Sequence, residues 1–75
     1  MKFPSVYVEH VRFPGNWEAL YIQGERVWQG HNLDVSTLLS HLEGKIVAGY
    51  NSEYNDVSLT EEFGAEAPEE YSALP

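Results

Sequence analysis

Leu33-Asp34-Val35-Ser36-Thr37-Leu38-Leu39-Ser40-His41-Leu42-Glu43-Gly44 carries the firmest helical signal in the chain. Val35, Leu38, Leu39, Leu42 and Ile46 recur at the i, i+3, i+4, i+7 spacing of one apolar helical stripe. Asp34 is placed as an N-cap, able to accept from the free N–H groups of the first turn, and Leu33 with Leu38 forms a hydrophobic staple around it. Gly44 fits the left-handed position that ends a helix, which puts Ile46 beyond it. The reading is a helix from about Val35 to Glu43, roughly 2.5 turns long. A helix that short holds only by packing its leucines on something else.

The flanking segments supply that surface. Upstream, Ser5-Val-Tyr-Val-Glu-His-Val-Arg-Phe13 is rich in β-branched and aromatic residues, and Pro14-Gly15 closes it as a turn. Trp17-Glu-Ala-Leu-Tyr-Ile22, Gln23-Gly24-Glu25 and Arg26-Val-Trp-Gln29 then read as a β-hairpin. A two-residue turn places Leu20, Ile22 and Val27 on one face and Ala19, Tyr21 and Trp28 on the other. A three-residue loop reverses the second strand and sends Trp28 to join Leu20 and Ile22. Downstream, Lys45-Ile-Val-Ala-Gly-Tyr50 reads as another strand, weakened locally by Gly49, with a less regular extension through Leu59. The expected fold is α+β: a small antiparallel sheet of three or four strands crossed by one short helix, in β-β-β-α-β order. Residues 1–59 form the core domain and residues 60–75 an acidic C-terminal extension. In that extension Thr60 is placed to cap one helical turn and Pro68 to start another.

Composition bounds the function. The chain has 75 residues, 43% hydrophobic and 13% aromatic, with no cysteine. That length supports one small core that buries roughly 60% of the unfolded surface, and a deep substrate cleft is not expected. Without cysteine, a disulfide framework, a thiolate metal site and a cysteine nucleophile are excluded. The sequence begins with no signal-like segment, has no run long enough to span a bilayer and has no Asn-X-Ser/Thr acceptor, so a cytoplasmic location is expected.

The formal charge of −8 is unevenly spread: residues 1–50 carry a net −1 and residues 51–75 a net −7. Direct nucleic-acid or anionic-membrane binding needs clustered cations, which are missing. The histidines His10, His31 and His41 match no zinc-ligand spacing, although His31 could pair with Asp34 or with Glu18 across the hairpin. Ser36, Ser40 and His41 supply hydrolase residue types without a nucleophile elbow, and the glycines are scattered singly at turns. No catalytic residue, cofactor or metal is assigned, and the protein is expected not to be an enzyme.

Two features are left as candidates for recognition. Trp17, Tyr21 and Trp28 could gather on the sheet face away from the helix as a partner site. The favoured alternative covers that face with Phe63, Tyr71 or Leu74 from the same chain, or with a second copy of it. Residues 53–75 alternate carboxylates with single apolar residues. Charge runs are most often solvated faces. The functional alternative is a negative surface, built from Glu61, Glu62, Glu66, Glu69 and Glu70 with Phe63 and Tyr71, that docks on a basic groove of another protein. In size and charge the chain resembles the small acidic inhibitors of phages and mobile elements, such as anti-CRISPR and anti-restriction proteins, and antitoxins and immunity proteins. That resemblance implies an inhibitor or regulator, a viral anti-defence protein or nucleic-acid mimic, whose partner is a basic protein such as one that processes nucleic acid. The competing expectation is an accessory subunit that forms a homodimer through the aromatic sheet face.

Overall fold

The computed structural model describes residues 2–75. Four strands, β1 (Ser5–Phe13), β2 (Trp17–Ile22), β3 (Glu25–Gly30) and β4 (Ile46–Tyr54), form one sheet in the order β3-β2-β1-β4. Helix α1 (Val35–Leu42) connects β3 to β4, and a short helix α2 (Leu59–Phe63) and a 3-10 turn (Tyr71–Ala73) follow. The α+β class and the β-β-β-α-β order are those expected. The sheet, however, is mixed and not wholly antiparallel. β1 pairs antiparallel with β2, and β2 with β3, but β4 lies parallel to β1. The cause is the connection: α1 carries the chain from one edge of the sheet to the other, where β4 enters in the direction of β1.

The hairpin explains where Trp28 goes. Ile22 faces Glu25 across a two-residue turn in which Gln23 and Gly24 both take positive φ, 54° and 83°. This is the turn that matches strand twist, and Gly24 adopts it without the penalty a Cβ would bring. The register then slips: Tyr21 pairs with Arg26 but Leu20 pairs with Trp28. Val27 is thus the extra residue of a β-bulge. The turn is the two-residue one, yet the bulge restores the faces of the three-residue reading, and Trp28 packs beside Leu20 and Ile22.

Both faces of the sheet are covered. On one, Val6, Val8, Leu20 and Ile22 pack under Leu33, Leu38 and Leu42 of the α1 region, with Trp28 at the margin. Asp34 caps α1 as expected, its Oδ1 accepting from the Thr37 N–H at 2.7 Å, and Gly44 takes a φ of +76° just after the helix. The apolar stripe is narrower than its spacing implied. Val35 and Leu39 are 70% and 60% exposed and Ile46 is exposed as well, because Leu38 and Leu42 alone point down from a helix of eight residues.

On the other face, Val11, Phe13, Ala19 and Tyr21 are buried beneath Leu59, Phe63, Ala67, Tyr71 and Leu74. Here α2 begins at Leu59 with Ser58 at the N-cap, so Thr60 lies inside the helix instead of capping it. The next turn begins at Tyr71, three residues after Pro68. Buried Leu59 anchors the helix start to the sheet, which sets the phase of the turn.

Candidate functional site: a carboxylate surface on a tethered segment

Residues 55–75 carry six carboxylates and no Lys or Arg. They do not leave the sheet as a free extension. Every third or fourth side chain turns inward, with Leu59, Phe63, Ala67, Tyr71 and Leu74 against the core. Glu61, Glu62, Glu66, Glu69 and Glu70 stay exposed. With little regular structure of its own, the segment must satisfy its backbone elsewhere. It uses the β3 side of the sheet.

The Arg26 N–H donates to the Glu69 carbonyl at 2.8 Å and the Tyr71 N–H to the Gly24 carbonyl at 2.8 Å. Gln29 Oε1 accepts from the Ala67 N–H at 3.0 Å and from Trp17 Nε1 at 3.3 Å, and the Arg26 guanidinium donates to the Ala67 carbonyl. The bulge at Val27 makes this possible, since it brings both Arg26 and Gln29 to the face of Tyr21 and Ala19.

Tyr21 is the centre of the attachment. It is 0% exposed, its hydroxyl donates to the Pro68 carbonyl at 2.8 Å, and its ring meets Tyr71 edge-on at 5.5 Å. Burial pushes its pKa up to about 12 against a smaller opposing pull from Arg26. Tyr71 donates to the Glu53 carboxylate in β4, and that hydrogen bond first, with burial and the nearby negative charge, raises its pKa to about 12 as well. Both phenols are held neutral.

The aromatic half of the expected site is therefore divided. Tyr21 is internal, Trp17 is half-buried beside it, and Trp28 lies on the opposite face of the sheet. Phe63 and Tyr71 act as anchors. Only the acidic half faces solvent. Among the described residues the one basic side chain in contact with a carboxylate is His10, whose Nε2 lies 2.6 Å from Glu18 Oε1, so the six carboxylates of the segment have no cationic partner. An exposed apolar strip that sequence reasoning missed runs along β4, with Tyr50 48% and Tyr54 57% exposed beside Ile46 and Val47. The alternation Tyr50-Asn-Ser-Glu-Tyr54 was its signal, but only the strand order shows that it borders solvent.

The histidines are distributed differently from the pairs drawn on the sequence. His10, not His31, meets Glu18, and the other ring nitrogen of His10 lies 3.3 Å from Ser52 Oγ. His31 packs edge-on against Trp17 and its Nδ1 lies 3.3 Å from the Asn16 carbonyl. Ser52, His10 and Glu18 thus form a row across β4, β1 and β2. Acyl transfer would also need a substrate cavity and oxyanion donors at the serine. The cavity that reaches Glu18 is lined by Arg12, Phe13, Asn16, Trp17, His31, Asn32 and Tyr54, and Ser52 stands outside it. The row ties three strands together.

The molecule is thus defined as a small α+β domain with a four-stranded mixed sheet covered on both faces. No helix among the described residues is long and apolar enough to cross a membrane. Compared with protein-family models, with curated proteins and with solved structures, the chain matches none of them.

Proposed function

We propose that this protein is a non-enzymatic binding domain that engages a basic surface of a protein partner through the carboxylates of residues 55–75. The observation that supports it most is the separation of roles within that segment: apolar side chains fix it to the sheet while Glu61, Glu62, Glu66, Glu69 and Glu70 stay exposed and unpaired. A disordered acidic tail would lose conformational entropy on binding, and a surface already held in place loses less. Its field also speeds encounter with a cationic groove. Size and charge fit an inhibitor or regulator acting in the cytoplasm, of the anti-defence, antitoxin or immunity type. A partner that ordinarily holds nucleic acid in such a groove would be blocked by it.

The test is capture of partners from host lysate by the tagged protein, at low and high salt. A variant with Glu61, Glu62, Glu66, Glu69 and Glu70 all changed to Gln serves as the comparison. The expected result is a basic protein retained by the wild type and lost on salt addition or charge removal, since exposed charges are screened beyond about 8 Å at physiological ionic strength. Equal capture by both proteins at both salt concentrations would overturn the reading.

A further inference from the structure

The two edges of the sheet are treated differently. The β3 edge is occupied by the acidic segment through Arg26, Glu69, Gly24 and Tyr71, and Glu25 bridges to Glu70. The β4 edge, among the described residues, pairs with nothing on its outer side. Open edges are normally protected by Lys, Pro, bulges or short length. β4 is nine residues long and contains neither Lys nor Pro, and its one bulge, at Ala48, precedes a regular stretch from Gly49 to Tyr54. Its single charge, on Glu53, is turned to the Tyr71 hydroxyl of the same chain.

We infer that β4 pairs with β4 of a second copy, antiparallel and centred on Ser52, to give a continuous eight-stranded sheet. In that register Tyr50 stands opposite Tyr54 of the second copy, Asn51 opposite its Glu53, and Ser52 opposite its Ser52. Tyr50, Ser52 and Tyr54 share the sheet face of their β1 partners Val8, His10 and Arg12, so each pair meets on one face. Two cross-strand aromatic pairs and two Asn–Glu pairs result, and no like charges stand directly opposite. Moving the centre to Tyr50 would run the pairing into the bulge at Ala48 and leave one aromatic pair.

The charge distribution places this edge away from the most acidic surface. Residues 33–54, which supply α1 and β4, carry a net −2, against −6 for residues 55–75. Edge-to-edge pairing leaves both covered faces in solvent, whereas stacking through the acidic segments would oppose them. Alongside the edge, Leu39, Leu42 and Val47 line a shallow groove, which puts further apolar surface next to the joint. This pairing does not depend on the proposed basic partner.

Because the chain has no cysteine, introduced ones read the register directly. Residues directly opposite in an antiparallel pair bring their Cβ atoms to about 4.5–5.5 Å, close to disulfide range. Sedimentation of the wild type is expected to give twice the 8.5 kDa chain mass as concentration rises, and Tyr50→Lys with Tyr54→Lys is expected to give a folded monomer. Under mild oxidation Ser52→Cys should crosslink to itself, and Tyr50→Cys should crosslink to Tyr54→Cys when the two are mixed. Ser72→Cys, exposed and away from the edge, is the control for chance collisions. A wild type that stays monomeric would overturn the proposal, as would a Ser52→Cys that crosslinks no faster than Ser72→Cys. Far-UV circular dichroism on each variant separates loss of pairing from loss of fold.

Discussion

The two covers of the sheet are held by different means. α1 satisfies its own backbone and meets Val6, Val8, Leu20 and Ile22 through side chains alone. The acidic segment lies on Val11, Phe13, Ala19 and Tyr21, and it also accepts hydrogen bonds from Arg26 and Tyr21 and donates to Gln29 and Gly24. A helix can cover a sheet wherever its apolar side chains fall. An irregular cover must be matched to specific polar groups, and this one is matched through a hairpin bulge. The second kind of cover fixes where each outward side chain leaves the backbone, which suits a surface whose outward side chains are carboxylates.

The largest effect expected from breaking this arrangement is at its centre. Tyr21→Ala removes a fully buried ring and the Pro68 bond, and large aromatic truncations of this kind cost about 3–5 kcal/mol. In a domain this small that approaches the whole stability, and thermal unfolding monitored by circular dichroism should show little folded protein. Leu42→Ala on the α1 side should cost less, about 2 kcal/mol, because Leu42 is only partly buried. Chemical denaturation measures both.

Gln29→Ala separates the two covers more cleanly. It strands the Ala67 N–H and Trp17 Nε1 at once while leaving α1 untouched, and an unsatisfied buried donor costs about 1–3 kcal/mol. Hydrogen exchange should therefore accelerate in residues 64–75 and stay unchanged in the α1 region. A uniform acceleration across the molecule would mean that the two covers are not independent.

The response to pH should have opposite signs on the two faces. Tyr21 and Tyr71 titrate near 12 when folded against an ordinary value near 10, so their contribution is intact below pH 10 and lost as pH rises from 10 through 12. Asp34 is shifted the other way: the Thr37 N–H holds its carboxyl below the usual value of 3.8. Its contribution is present above that value and disappears as the pH falls below it. Alkali should loosen the acidic segment first, and acid should fray the start of α1, which phenolate absorbance and helical ellipticity report separately. The least effect on stability is expected from changing Glu61, Glu62, Glu66, Glu69 and Glu70 to Gln, since all five are exposed and make no ion pair.

How far the sequence foretold each face follows from the same contrast. α1 was readable because its cap, staple and leucine spacing are local, and the strands β1 to β3 because their composition and turns are local. The parallel setting of β4 was not, since pairing across the sheet depends on where the helix delivers the chain. Nor was the bulge at Val27, which has no local signature and yet decides that Trp28 parts from Tyr21. For the acidic segment, the alternation of apolar and acidic residues was visible. The bonds of Ala67 with Gln29 and Arg26 join residues 38 and 41 positions apart and cannot be read from either end.

The most direct test of the account is residue-resolved amide hydrogen exchange on the wild-type protein. The Arg26, Ala67 and Tyr71 amides should be protected, opening together and more readily than those of Val8 and Leu20 in the central strands. Ala67 and Tyr71 amides exchanging at the rate of a free chain would show the carboxylates to be on a loose tail, and the fixed acidic surface would fall with them.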